Sequence, residues 1–161
     1  MWEELINIIE ALIKTYLNML ELNENKRKAI LAIDMKRLDQ LIDEEQKFIN
    51  EVAENEQKRQ QVLQKMMQKN LFSEETVTFK QLVKFCPIEK KDKFETVNKE
   101  LSDTVKKTAD LNDANRMLMQ GALTAVNVNL NSLMQVRSEP DYGHDGQQKF
   151  SSQNKKFDFK A

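Results

Sequence analysis

Glycine, proline, cysteine and histidine are all scarce in this chain of 161 residues, which holds three, two, one and one of them respectively. Each scarcity excludes something. Glycine and proline supply the special backbone angles of tight turns, so a chain with so few can make few turns. Gly121, Gly143 and Gly146 are too far apart or too few to build a glycine-rich phosphate loop. Cys86 stands alone, which rules out an intrachain disulfide and fits a reducing compartment. Cys86 and His144 are also poor material for a nucleophile–base pair or a zinc site, so neither catalysis nor a metal or other cofactor is expected.

A block of one charge sign is missing as well. The formal net charge is −1 and the acidic and basic residues are interspersed. A nucleic-acid partner is not expected, because it needs a basic face or block. The opening MWEELINIIEALIKTYLNML carries glutamates where a leader peptide carries positive charge. Asn7, Glu10 and Lys14 interrupt its apolar run. It reads as neither a leader nor a membrane span, so a cytoplasmic protein without membrane insertion is expected.

What is abundant is charge and helix-forming residues. Charged residues make up 32% and hydrophobic ones 40%. That balance suits long helices. Trp2, Leu5, Ile9, Leu12, Tyr16, Met19, Asn23, Lys26, Ile30 and Ile33 recur at alternating spacings of three and four, which marks a packing stripe. Asp34 follows, a good N-cap, and predicts a break between two helices, with one continuous helix as the alternative. A second stripe runs through Leu38, Ile42, Glu45, Ile49, Val52, Glu56, Arg59, Leu63 and Met66. Glu56 and Arg59 are i,i+3 neighbours that can pair, and the charged positions read as a solvated break in the seam.

From Asn70 to Pro87 the periodicity changes. Thr78 followed by Gln81 resembles a capping box and predicts a short helix over 79–85, stopped before Pro87. Phe72, Phe79, Leu82 and Phe85 are expected to tuck against the bundle. A third long helix is expected to start between Ile88 and Lys93, capped near Asp92, and to reach about Arg137. Its stripe is Phe94, Val97, Leu101, Thr104, Thr108, Leu111, Asn115, Leu118, Ala122, Ala125, Asn129, Ser132 and Val136. Such a helix is a rod of roughly 70 Å that must lie against the first two helices, another copy or a partner. The chain therefore reads as all-α, an elongated up-and-down bundle of long, coiled-coil-like helices. A helical domain over 1–137, with helices at about 2–33, 35–69, 79–85 and 90–137, precedes a turn and flexible tail over 138–161. The tail from Gln147 to Ala161 is polar and is expected to be disordered, with Phe150, Phe157 and Phe159 its only large apolar groups.

The most informative stretch is MLMQGALTAVNVNLNSLMQV, Met117 to Val136, which contains no charged residue. Its amides and hydroxyls exclude a membrane span. Leu118, Ala122 and Ala125 continue the seam, while Met119, Leu123, Val126, Leu130, Leu133 and Met134 form an adjoining face. A helix apolar on two faces needs two partners. The second face could belong to a deeper core, to a homodimer, or to a groove for another protein's amphipathic helix, for which methionine is well suited. Asn112, Asn115 and Asn129 need partners wherever they are buried, and would then set register. In the turn, Asp141, Asp145 and Gly146 match three positions of a calcium loop, but Gly143 and Ser152 fail at two ligand positions, and a plain turn explains DYGHDG better.

The run LNDANRMLMQGAL, with Asn127, Leu130 and Leu133 after it, resembles the L-N-x-x-N-x-x-L-(L/M)-x-G stretch of FlgN-type flagellar export chaperones. YGHDGQ resembles the Tyr-Gly-x-Asp-Gly turn that follows in that family, and Glu45, Phe48, Val52, Glu56 and Arg59 echo its E-x-x-L…L-E-x-x-R helix, with Asn55 where leucine is common. The resemblance implies a non-enzymatic chaperone of hook–filament junction proteins (FlgK/FlgL type). It would bind their C-terminal helical regions, prevent premature assembly, and deliver them to the cytoplasmic domain of the flagellar type III export gate (FlhA type). It would be a monomer or weak dimer when free. By the same resemblance Leu118, Met119, Leu123, Val126, Leu130, Leu133 and Met134 would bind the substrate protein, and Tyr142, Gly143, Asp145 and Gly146 would contact the gate. The rival reading is a structural coiled-coil homodimer or scaffold that uses the same apolar face.

Overall fold

The computed structural model describes residues 1–68 and 78–136, with side chains described as far as Met134. Four helices are present among them: α1 (Trp2–Leu31), α2 (Met35–Gln68), α3 (Phe79–Phe85) and α4 (Ile88–Val136). There is no strand among the described residues. The expected helix ends at 69 and 137, Phe72 and the whole tail over 138–161 lie outside the described residues.

The break at Asp34 is present, and its chemistry is explicit. Asp34 Oδ1 accepts from the Arg37 N–H at 3.0 Å, and the Asp34 carbonyl accepts from the Leu38 N–H. Asp34 thus caps α2 with its side chain. The end of α1 is closed by two backbone bonds, Asp34 N–H to Ala29 O and Ile33 N–H to Ile30 O. These are the paired bonds of a Schellman motif, which needs a left-handed residue between them. That residue is Ile33, with φ of 55°. A β-branched side chain there is an outlier, since glycine or asparagine adopts this conformation at far lower cost. The first helix accordingly ends at Leu31, two residues before its expected end.

The chain divides into two units, Met1–Gln120 and the remainder from Gly121. The first unit is an up-down-up bundle. α1 and α2 form an antiparallel hairpin, held between the helices by Lys26 with Glu45 and by Thr15 with Glu51. The opening part of α4 runs parallel to α1. Thr108 Oγ1 donates to Tyr16 O and Asn115 Nδ2 to Asn23 O, so both contacts share one register.

Two apolar clusters hold this unit. One gathers Leu5, Ile6, Ile9 and Ile13 of α1, Val62 and Met66 of α2, Leu82 of α3, Cys86, and Phe94 and Val97 of α4. Phe94 is fully buried, with Trp2 edge-on at 5.5 Å and Phe79 stacked at 5.9 Å. The other joins Leu22, Ala29 and Ile30 to Leu38 and Leu41, with Phe48, Leu118 and Met119 packed on it.

The connector follows its sequence signal. Thr78 and Gln81 form the reciprocal capping box of α3. Leu82 is buried, but Phe85 is 46% exposed and is not tucked in. α4 starts at Ile88, directly after Pro87, whose carbonyl accepts from the Lys90 N–H. Proline's fixed φ suits a helix entrance, so Asp92 is not needed as a cap and lies inside the helix.

Candidate functional site

Polar residues on the seams behave in two ways. Lys26 is buried, and its Nζ donates to both oxygens of Glu45 at 2.9 and 2.8 Å. The side chains keep 8% and 18% of their exposure, so this is a nearly desolvated ion pair. Glu45 is therefore not a solvated break. Glu56 and Arg59 do pair as i,i+3 neighbours and are half-buried. Of Asn112, Asn115 and Asn129 only Asn115 is buried, while Asn112 and Asn129 are exposed and need no protein partner. Asn115 bonds the Asn23 backbone, yet Asn115 Oδ1 and both side-chain heteroatoms of Asn23 have no hydrogen-bond partner in their buried setting.

Among the described residues the nucleophilic and metal-ligating groups are not brought together. Burial pushes the Cys86 thiol above its ordinary pKa, which keeps it protonated and poorly nucleophilic. Burial, reinforced by Glu56, also raises Tyr16. No group of three His, Cys, Asp or Glu side chains that could hold a metal occurs among the described residues. No helix among them is long and apolar enough to cross a membrane. An open groove of about 360 Å³ lies between α1 and α2, lined by residues that include Phe48, Thr15, Lys14, Lys58, Glu51 and Glu54. Its two lysines and two glutamates balance, so it selects no charged ligand.

The distinctive surface is on the second unit. Every residue from Gly121 to Met134 is exposed. Leu123, Val126, Leu130, Leu133 and Met134 are between 48% and 68% exposed. At 100° per residue these five fall within an arc of about 100° on the helix. Val128 is 57% exposed and falls outside that arc. Ser132 satisfies its hydroxyl on the Val128 carbonyl.

This corrects two expectations. The adjoining face is not a deeper core, because its side chains are exposed. Nor does the seam continue through Ala122 and Ala125, which are exposed too. Leu118 and Met119 differ from the other expected substrate-binding residues. They are half-buried and packed on the Leu22–Leu41 cluster. Tyr142, Gly143, Asp145 and Gly146 lie outside the described residues, as does the rejected calcium loop.

The family model for the FlgN protein matches residues 1–149, nearly the whole chain. This chain belongs to the FlgN family. It is a flagellar export chaperone, a member of a chaperone family rather than an enzyme family. No curated protein and no solved structure matches it. The matched region includes the charge-free end of α4 and the sequence YGHDGQ.

Two features of this FlgN chain were not foreseen from its sequence. One is the exposed tip between α1 and α2, where Leu31, Ile33 and Met35 are all more than 60% exposed. The other is the buried Lys26–Glu45 pair. Both residues stood out as charged positions on apolar stripes, but nothing in the spacing says that they meet.

Proposed function

We propose that this FlgN chain holds hook–filament junction proteins (FlgK/FlgL type) by their C-terminal helical regions, in the cytoplasm, before export. The observation that carries this is the arc of Leu123, Val126, Leu130, Leu133 and Met134, exposed on a stretch without charge. Exposed apolar patches on a soluble helix mark interaction surfaces. An amphipathic helix laid along this arc would cover its own apolar stripe and could not self-assemble through it. Leu118 and Met119, being half-buried, are left out of the binding face. Tyr142, with Gly143, Asp145 and Gly146, is proposed to contact the cytoplasmic domain of the export gate (FlhA type), a role that rests on the family resemblance of the YGHDGQ turn.

The energetics are adequate. Fully burying a large apolar side chain contributes about 1.5–3 kcal/mol. Five that are about half covered already would contribute on the order of 5–8 kcal/mol from this side, with a comparable share from the cargo. After association costs, a micromolar complex is reasonable.

The test is titration calorimetry of the whole chain with isolated C-terminal helical segments of junction proteins. Saturable binding that is lost in a Leu123→Asp, Leu130→Asp double variant supports the reading. Absence of binding, together with a stable dimer by solution mass measurement, would transfer the arc to a structural homodimer.

A further inference from the structure

The α1–α2 turn combines three observations that the chaperone reading does not use. Its apex residue, Ile33, is held in the left-handed region at φ 55° and is 76% exposed. Leu31 and Met35 flank it at 64% and 63% exposure. Arg27, Lys28 and Lys36 lie within six residues of Ile33 along the chain, all exposed and none ion-paired among the described residues. Arg37 adds a fourth cation, shared with Glu44 at 3.5 Å. The acidic groups of the same span are Asp34, which caps α2 and keeps its charge, and Asp39, so residues 27–39 hold four cations against two carboxylates.

We propose that this turn is a docking tip for an anionic membrane surface. Convex apolar side chains within a collar of cations match the interface of a bilayer that carries negative headgroups. The apolar residues enter the headgroup boundary while the cations stay at phosphate level. Three side chains on a convex tip are too few for a stable protein–protein interface, which must bury far more area. A bilayer adds long-range attraction for every cation and asks for no shaped pocket. The contact is superficial and does not span. It is independent of the cargo arc, which carries no cation.

Vesicle flotation with the whole chain tests this. One set of vesicles contains phosphatidylglycerol and phosphatidylethanolamine in equal parts, and the other contains phosphatidylcholine alone. The chain should float with the first, not with the second, and detach in high salt. Arg27→Gln with Lys36→Gln should lower partitioning by about fivefold per charge removed. Ile33→Gly removes the apical side chain and relieves the backbone, so the fold is kept, and partitioning should fall about tenfold. Leu123→Asp with Leu130→Asp should leave vesicle binding intact while removing cargo binding. No binding to anionic vesicles would overturn the proposal and point to an acidic protein instead. Unchanged binding by Ile33→Gly would reduce the attraction to charge alone and overturn tip insertion. Loss of vesicle binding in the Leu123/Leu130 variant would assign lipid contact to the cargo arc, and would overturn the proposal equally.

Discussion

Replacing Leu123 and Leu130 by aspartate separates a binding face from a core. Leu123 is 60% exposed and Leu130 is 48% exposed. About half of each side chain is thus still to be covered by cargo, so each lost leucine removes about 1–1.5 kcal/mol of binding. Each new carboxylate must also be desolvated against an apolar partner, which costs roughly 1–3 kcal/mol more. The double variant should therefore lose at least about 4 kcal/mol, a thousandfold in affinity. Stability should hardly change. Neither leucine is buried, and aspartate costs only about 0.5 kcal/mol per site in helix propensity. Calorimetry with the junction-protein segments reads the first quantity, and thermal unfolding followed by circular dichroism reads the second. Cargo affinity within threefold of wild type would refute the assignment of the arc. A loss of several kcal/mol in stability would show that these side chains are packed, against the exposure from which the argument starts.

Four further outcomes follow from particular residues. Ile33→Gly should raise stability by about 1 kcal/mol, with a melting temperature higher by about 3 °C, because the left-handed strain it relieves exceeds glycine's entropy cost; a lower melting temperature refutes this. Asn23→Leu should stabilise by about 1–2 kcal/mol in urea unfolding, since it removes two buried atoms without partners and leaves the Asn23 carbonyl free to accept from Asn115. Lys26→Met should destabilise by about 3 kcal/mol and Lys26→Met with Glu45→Met by much less, a double-mutant cycle that fails if the two changes simply add. Gly121→Ala should raise helix content and strengthen cargo binding severalfold, because an added Cβ meets nothing within 4 Å and alanine is about 1 kcal/mol better in a helix; weaker binding would show that the glycine is needed as such.

The helices were legible because each carries its own period and its own caps. Asp34 and the Thr78–Gln81 box announce helix starts by side-chain chemistry that acts within four residues. What depends on contacts between helices was not legible. Lys26 and Glu45 are 19 positions apart, and only the geometry of the hairpin brings them together. Asn112, Asn115 and Asn129 look alike in sequence, but one of the three is buried. The left-handed Ile33 was hidden because the motif normally uses glycine or asparagine, and isoleucine sends no such signal. The division between Met119 and Leu123 was hidden for a different reason. Periodicity records that a face is apolar, but not whether a partner covers it, and here Met119 is half-buried and Leu123 exposed.

That division also bears on how the arc proposed for cargo can be presented at all. A sequence such as GALTAVNVNLNSLMQ is a mediocre helix former, since asparagine, valine, threonine and serine each fall about half a kcal/mol below alanine. Detached, it would be too short to stay helical in water. In α4 it needs no nucleus, because the helix is already formed before Gly121 and anchored by the buried Phe94, Val97 and Asn115, and each further residue has only to propagate. The face is therefore already helical, and under the proposed function little ordering has to be done during binding. Its own packing contributes nothing to holding it, because its side chains are exposed. A partner that covers the arc supplies the packing that the bundle withholds, so the same five side chains that make the empty face costly to expose make the loaded one stable.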